Sequence, residues 1–259
     1  MKRREFLAAS VLAGAASAAP ALGNASKQLY YEFSRYQVVN NADKKKFETY
    51  WEKAAIPALN RLGIEPVGVF TPRFGAHGLD YYVLIPHPSL ESFATAWEKI
   101  AEDAEYQNTG AELIDPLMTD PLYYRYETSL MKAFKELPAI NIPEHIHGKS
   151  GRIYEVRVYE SHNRHKADLK VEMFNKGGEI ALFKETGLHP VMFGQTLAGG
   201  NMPNLTYILG FESMNERDKA WDTFRTSDGW AAMKDLPRYK DTVSSVTDYI
   251  LAPIGCSQI

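Results

Sequence analysis

Two segments of this chain place charged and phenolic side chains at alternate positions. In Glu155-Val156-Arg157-Val158-Tyr159 the polar residues share one strand face and the aliphatic residues the other. Glu32 and Tyr36 hold matching places in Tyr31-Glu32-Phe33-Ser34-Arg35-Tyr36. A carboxylate and a guanidinium two residues apart on a buried strand need each other, because an unpaired buried charge is very costly. Two kinds of chemistry fit that pattern. One is an ion-pair network that fixes how two sheets meet; the other is a polar patch that orients a small ligand in an otherwise apolar pocket.

The seven histidines form no metal constellation by spacing alone. In Glu144-His145-Ile146-His147 an extended backbone would place both rings on one side. They would bind a metal only if other ligands converged on them, and solvated positions are the alternative. His77 sits in a long loop, Pro72 to Gly78, where it would serve as a gate or ligand contact. His189 precedes Pro190, and no histidine stands out as a haem ligand. A nucleophile elbow, a phosphate-cradling glycine loop, a dinucleotide fingerprint and a zinc-helix motif are all lacking. The residues therefore name no cofactor. Cys256 is the single cysteine, so no intrachain disulfide can form.

The elements that position these residues come in two copies. Landmarks of the first half recur about 124 residues later. The openings are Tyr31 to Tyr36 and Tyr154 to Tyr159. Gly63, Pro66 and Val67 answer Gly187, Pro190 and Val191, and the segment Tyr82 to Trp97 answers Tyr207 to Trp221. Each copy reads strand, helix, strand, strand, helix, strand. In the first, strands are expected over 29–38, 66–71, 81–86 and 122–127, with helices over 42–62 and 89–103. Pro57 would kink the first helix, and Gly63 would end it. In the second, strands are expected over 153–159, 190–196, 205–211 and 243–251, with helices over 166–185 and 215–225.

This order predicts an α+β fold: two tandem ferredoxin-like (βαββαβ) domains, over 27–135 and 151–259, with an extended linker over 136–150. Each unit leaves one sheet face bare, and the two bare faces would cover each other in a barrel-like core. The apolar set (Tyr154, Val156, Val158) would pack under the helices. Glu155, Arg157 and Tyr159, with Glu32 and Tyr36, would point into the space between the sheets.

At 259 residues with a net charge of −3, 45% hydrophobic and 24% charged, the composition is that of a soluble globular protein and gives no sign of nucleic-acid binding. No segment after residue 26 approaches the ~20 apolar residues that span a bilayer. Residues 1–26 read as a signal peptide: Arg3-Arg4, then Phe6-Leu7, an alanine-rich stretch and small residues. The twin arginine resembles a twin-arginine export signal, which implies a periplasmic or extracellular address.

The openings YEFSRY and YEVRVY resemble the YELRxY strand that begins NIPSNAP domains. The Gly-x-x-Pro-Val segments (Gly63 to Val67, Gly187 to Val191) and the helices ending in Ala96-Trp97 and Ala220-Trp221 are similar to that family's later landmarks. The resemblance covers nearly all of the chain beyond residue 26. It implies the dimeric α+β barrel superfamily, home to haem-degrading and quinone-forming monooxygenases, chlorite dismutase-like enzymes and proteins of unassigned activity. It carries over no catalytic residue. Ser34 stands where the second unit has Arg157, and Arg35 comes one place later. The leading expectation is a small apolar or aromatic ligand held between the two sheets by Glu32, Tyr36, Glu155, Arg157, Tyr159 and His77. The alternatives are a monooxygenase acting on an aromatic or haem-like substrate, and a homo-oligomeric assembly module that uses its sheet edges or its tyrosine-rich surface.

Overall fold

Apolar–polar alternation builds β1 (Tyr30–Gln37) and β5 (Ile153–Glu160), the central strand of each unit. The computed structural model describes residues 27–38, 41–74 and 79–259; the expected export signal and His77 lie outside the described residues. The first unit continues with α1 (Asn41–Tyr50), a π-helical turn over Trp51–Ala55, α2 (Ile56–Arg61), β2 (Gly68–Phe74), β3 (Tyr81–His87), α3 (Leu90–Ala101), α4 (Ala104–Ile114) and β4 (Arg125–Ala133). The second unit has α5 (Arg164–Asn175), α6 (Glu179–Glu185), β6 (Pro190–Ala198), β7 (Asn204–Phe211), α7 (Met214–Thr226), α8 (Asp228–Lys234) and β8 (Ser245–Pro253).

The first expected long helix is continuous through a π turn. Tyr50, Ala55 and Ile56 keep right-handed helical torsions, and the wider turn, with Ile56 N–H on Trp51 O, lies directly before Pro57. In the second unit Gly177 and Gly178 divide α5 from α6. Gly63 and Gly187 follow α2 and α6 with φ of 72° and 84°, the left-handed conformation that ends a helix.

The two sheets run β4-β1-β3-β2 and β8-β5-β7-β6, the ferredoxin-like order. They join through β2–β8 and β4–β6 pairings into one closed antiparallel barrel of eight strands. Closure goes beyond the expected face-to-face packing. The closing pairings reach only Leu130–Ala133 of β4 and Ile250–Pro253 of β8, so residues 125–129 and 245–249 keep one unpaired side at the barrel mouth.

The assignment of faces is the reverse of the expected one. Tyr31, Phe33, Tyr154 and Val156 point into the barrel, where they pack with Met131, Ile208 and other apolar residues. Tyr36 lies under the helices of the first unit and Tyr159 packs against the core beneath those of the second. Glu32, Glu155 and Arg157 also face helices and not the inter-sheet space. Alternation separates two faces but does not say which is inside. Here the helices bring their own polar partners to the outer face, while large apolar side chains fill the barrel interior except at its open mouth.

The same rule corrects one landmark. Tyr82 and Tyr207 look equivalent in sequence, yet Arg35 of β1 lies opposite Tyr82 while Val158 of β5 lies opposite Thr206. Tyr82 therefore lines the barrel, and Tyr207 lies under the helices. A slip of one residue exchanges the faces.

The joining segment is pinned to the barrel at Leu137, Pro143 and Ile146. Leu137 is buried in the core of the second unit, and Asn141 N–H donates to Val191 O at 2.9 Å. Ile146 is fully buried and closes one end of the barrel over Gly210. Residues 144–148 form a turn, not an extended strand, so His147 is exposed while His145 turns inward. No helix of the described residues is long and apolar enough to cross a membrane.

Candidate functional site

Glu155 organises the outer face of the second sheet. It is fully buried and accepts four hydrogen bonds. Arg157 Nη1 donates at 2.9 Å, Arg217 donates through Nε at 3.0 Å and Nη2 at 2.7 Å, and Trp221 Nε1 donates at 2.6 Å. Arg217 and Trp221 are four residues apart on α7, so both reach the same strand. Ser213 caps that helix by accepting from Glu216 N–H.

Arg157 extends from this anchor into a cavity of about 350 Å³ between sheet and helices. Its guanidinium lies over the Trp221 ring at 4.8 Å and the Tyr159 ring at 5.6 Å. Asp248 approaches Nη1 at 3.7 Å. Arg157 Nε is buried without a hydrogen-bond partner among the described residues. Burial works against its charge, but the neighbouring Tyr207 and Tyr159 phenols and Glu155 outweigh it and hold the pKa above the ordinary value.

Below Arg157 sits a second buried cation. Lys170 of α5 contacts Glu179 of α6 at 2.7 Å and lies 4.4 Å from the Phe174 ring centroid and 5.6 Å from that of Tyr159. Burial pushes the Glu179 carboxyl up, and Lys170 pulls it down. Tyr207 OH donates to Tyr159 OH at 2.8 Å, which leaves the Tyr159 proton to donate elsewhere. Burial raises the Tyr207 pKa well above its usual value. The arrangement is an aromatic box lined by the guanidinium groups of Arg157 and Arg225, the Tyr159 phenol and the Lys170–Glu179 ion pair.

The first unit fills the equivalent space. Ser34 replaces Arg157. Phe47 packs on Tyr36 at 5.3 Å, much as Lys170 lies over Tyr159, and Trp51, Tyr123 and Tyr126 complete the cluster. Glu32 has different partners: His87 Nε2 at 3.3 Å and Ser34 Oγ at 3.3 Å, with Ser92 Oγ 3.2 Å from His87 Nδ1.

Of the residues expected to bind a ligand together, the structure joins Glu155, Arg157 and Tyr159. Glu32 and Tyr36 lie under the other helical layer. Lys170, Glu179, Arg217 and Trp221 were missed as site residues. Lys170 and Glu179 flank the helix-breaking Gly177-Gly178, and that break was the signal available in the sequence.

Arg35 takes a different path. It points into the open barrel mouth, where Asp80 lies at 3.4 Å and Glu127 at 3.6 Å. With Phe33, Tyr82 and Tyr249 it lines a cavity of about 410 Å³ between the sheets. Burial pushes the Tyr82 phenol up to about 12, against the pull of Arg35.

Comparison with known proteins decides the family. The NIPSNAP profile matches residues 31–116 and 154–258, one match in each unit. The chain belongs to the NIPSNAP family. No curated protein matches this NIPSNAP chain. Among solved structures it is similar to a monooxygenase-like protein from Lactobacillus acidophilus NCFM, with a TM-score of 0.54, 10% identity, and coverage of 87% of this chain and 94% of that one. A monooxygenase-like protein from Fusobacterium nucleatum gives 0.55 at 8% identity, covering 88% and 93%. An anthrone oxidase-like protein gives 0.50 at 12%, covering 89% and 93%. These likenesses show that the NIPSNAP pair shares one two-unit α+β barrel fold with them.

Proposed function

We propose that this NIPSNAP protein binds a small aromatic ligand bearing an acceptor oxygen (a carboxylate, phenolate or carbonyl) in the helix–sheet pocket of its second unit. The observation that carries this reading is Arg157 Nε: a buried donor without a partner, at a cavity lined by Tyr159, Trp221, Phe224 and Trp230. A buried donor that is left unmade costs about 1–3 kcal/mol, so an acceptor that reaches it recovers that loss. Glu155 binds both Arg217 and Arg157, and Asp218 and Asp248 stand beside those guanidinium groups, so the pocket offers a directed N–H donor and no net positive charge. The aromatic ligand expected from the sequence is kept, and its place moves from between the sheets to between sheet and helices.

The test is quenching of tryptophan fluorescence by simple aromatic acids and hydroxyquinones. Saturable one-to-one binding is expected, lost in Arg157→Ala and weakened in Tyr159→Phe. Equal binding by Arg157→Ala would place the ligand elsewhere. A second reading is oxygenation of a phenolic ligand in the same pocket, supported by the fold shared with the monooxygenase-like and anthrone oxidase-like proteins and by the Tyr159 hydroxyl beside Arg157. Oxygen consumption with quinols or anthrones separates binding from turnover. We further propose export by the twin-arginine route; an Arg3→Lys, Arg4→Lys double variant should stay in the cytoplasm, and its appearance outside would refute the route.

A further inference from the structure

The sealed end of the barrel brings together three side chains from three segments. His145 belongs to the joining turn, His189 precedes β6, and Glu216 sits in the first turn of α7. Both imidazoles aim Nε2 at one carboxylate oxygen: His145 Nε2 is 3.1 Å and His189 Nε2 3.5 Å from Glu216 Oε1. The ring centroids are 4.2 Å apart. One ligand atom from each of the three residues lies within 4.8 Å of the others. The remaining oxygen, Glu216 Oε2, accepts from Glu212 N–H at 2.5 Å, so the backbone sets the aim of the carboxylate.

We propose that His145, His189 and Glu216 bind a divalent transition metal of the zinc class. Two imidazoles and a carboxylate are a donor set that such ions favour. Metal–ligand bonds of about 2.0–2.2 Å fit a cluster of this span after sub-ångström closure. The ligand side chains are 34%, 31% and 29% exposed, so the cluster keeps a side open to solvent. Three protein ligands and one open position make a site able to hold a metal-bound water. Nearby, Glu212 is paired with Lys149, so its charge adds little to the site.

The position gives the metal a structural consequence. His145 is followed by Ile146, the fully buried side chain that closes the barrel end, and His189 O accepts from Gly210 N–H beneath it. An ion at this site ties the joining turn to the second unit and holds the plug in place. The site is separate from Arg157 and its pocket, and neither proposal depends on the other.

The test uses the protein stripped with a chelator and then titrated with Co²⁺, followed by its visible ligand-field bands, and with Zn²⁺ against a chromophoric competitor. One ion per chain and a higher Tm in metal are expected. His189→Ala and Glu216→Ala should abolish the bands, and His145→Ala should lower affinity at least about tenfold. His147→Ala, exposed in the same turn, should bind as the parent does. Uptake that is unchanged in both His145→Ala and His189→Ala would overturn the assignment. So would a metal-induced rise in Tm of equal size in those variants, or no uptake by the parent protein.

Discussion

Arg35 and Arg157 occupy places one residue out of step in the two repeats, and they stand on opposite sides of the barrel wall. Arg35 enters the barrel mouth beside Asp80 and Glu127. Arg157 leaves the wall outward, onto Glu155 and the Trp221 ring. A strand alternates its faces residue by residue, so a one-place shift is enough to give two related units different interiors. The ligand pocket proposed here exists in the second unit because the first has Ser34 and Phe47 where the second has Arg157 and Lys170.

Glu155 should be the most sensitive residue of that pocket. Glu155→Gln leaves two guanidinium groups facing a neutral amide, and a cost of about 3–5 kcal/mol is expected from breaking a buried charge pair. Arg217→Ala should cost more than Arg157→Ala, because Arg217 makes two of the four bonds to Glu155. Chemical denaturation of the three variants checks the order; equal losses would mean that Glu155 does not anchor the site.

The Lys170–Glu179 pair should behave as a unit. Removing one partner strands a charge in the core, at about 3–5 kcal/mol, while Lys170→Met combined with Glu179→Leu should come close to neutral. The pH dependence follows from direction. Burial raises the Glu179 pKa above its ordinary 4.5, so the folded state holds the proton more tightly than the unfolded chain. Its contribution is present below that value and is lost as pH rises through the folded pKa. Lys170→Met removes the opposing pull and should therefore be less destabilising at acid pH than at neutral pH. Denaturation of that variant across the acid range measures this.

Cys256 should be a slow thiol. Burial pushes its pKa up to about 11 from the ordinary 9.0, so little thiolate exists at neutral pH. Alkylation by iodoacetamide should accelerate with pH up to about 11 in the folded protein. In the unfolded chain the same profile should level off near 9. Coincident profiles would show that the thiol is not shielded.

Ile146 should act as a core residue, although it lies in a turn between domains. Ile146→Ala opens a space over Gly210 and should cost about 2–5 kcal/mol. The loss should appear in one cooperative transition, because the plug touches residues of the shared barrel core. A separate early transition confined to the joining segment would show that the plug is not part of that core.

Much of this architecture could be read from the residues. The recurrence of Tyr31 to Tyr36 at Tyr154 to Tyr159, and of Gly63 at Gly187, marks two βαββαβ units, since each landmark has a local physical cause. A left-handed glycine ends a helix wherever it lies, and alternation makes a strand whatever it later packs against. Glu155, Arg157 and Tyr159 were recognisable as a set for the same reason: period two puts them on one face. Their neighbours Lys170, Trp221 and Arg217 were not, because their meeting depends on how α5 and α7 cross the sheet.

By itself, then, the sequence determined the repeat, the βαββαβ frame and which side chains share a face, because these follow from interactions between residues near one another in the chain; α4 and α8, which follow the second helix of each unit, were not read from it. Tertiary structure alone decided which face is inside, that the sheets close through β2–β8 and β4–β6, and that His145 meets His189 and Glu216. Those outcomes depend on contacts between distant segments. They are settled by which packing buries the larger apolar surface while leaving each buried charge a partner.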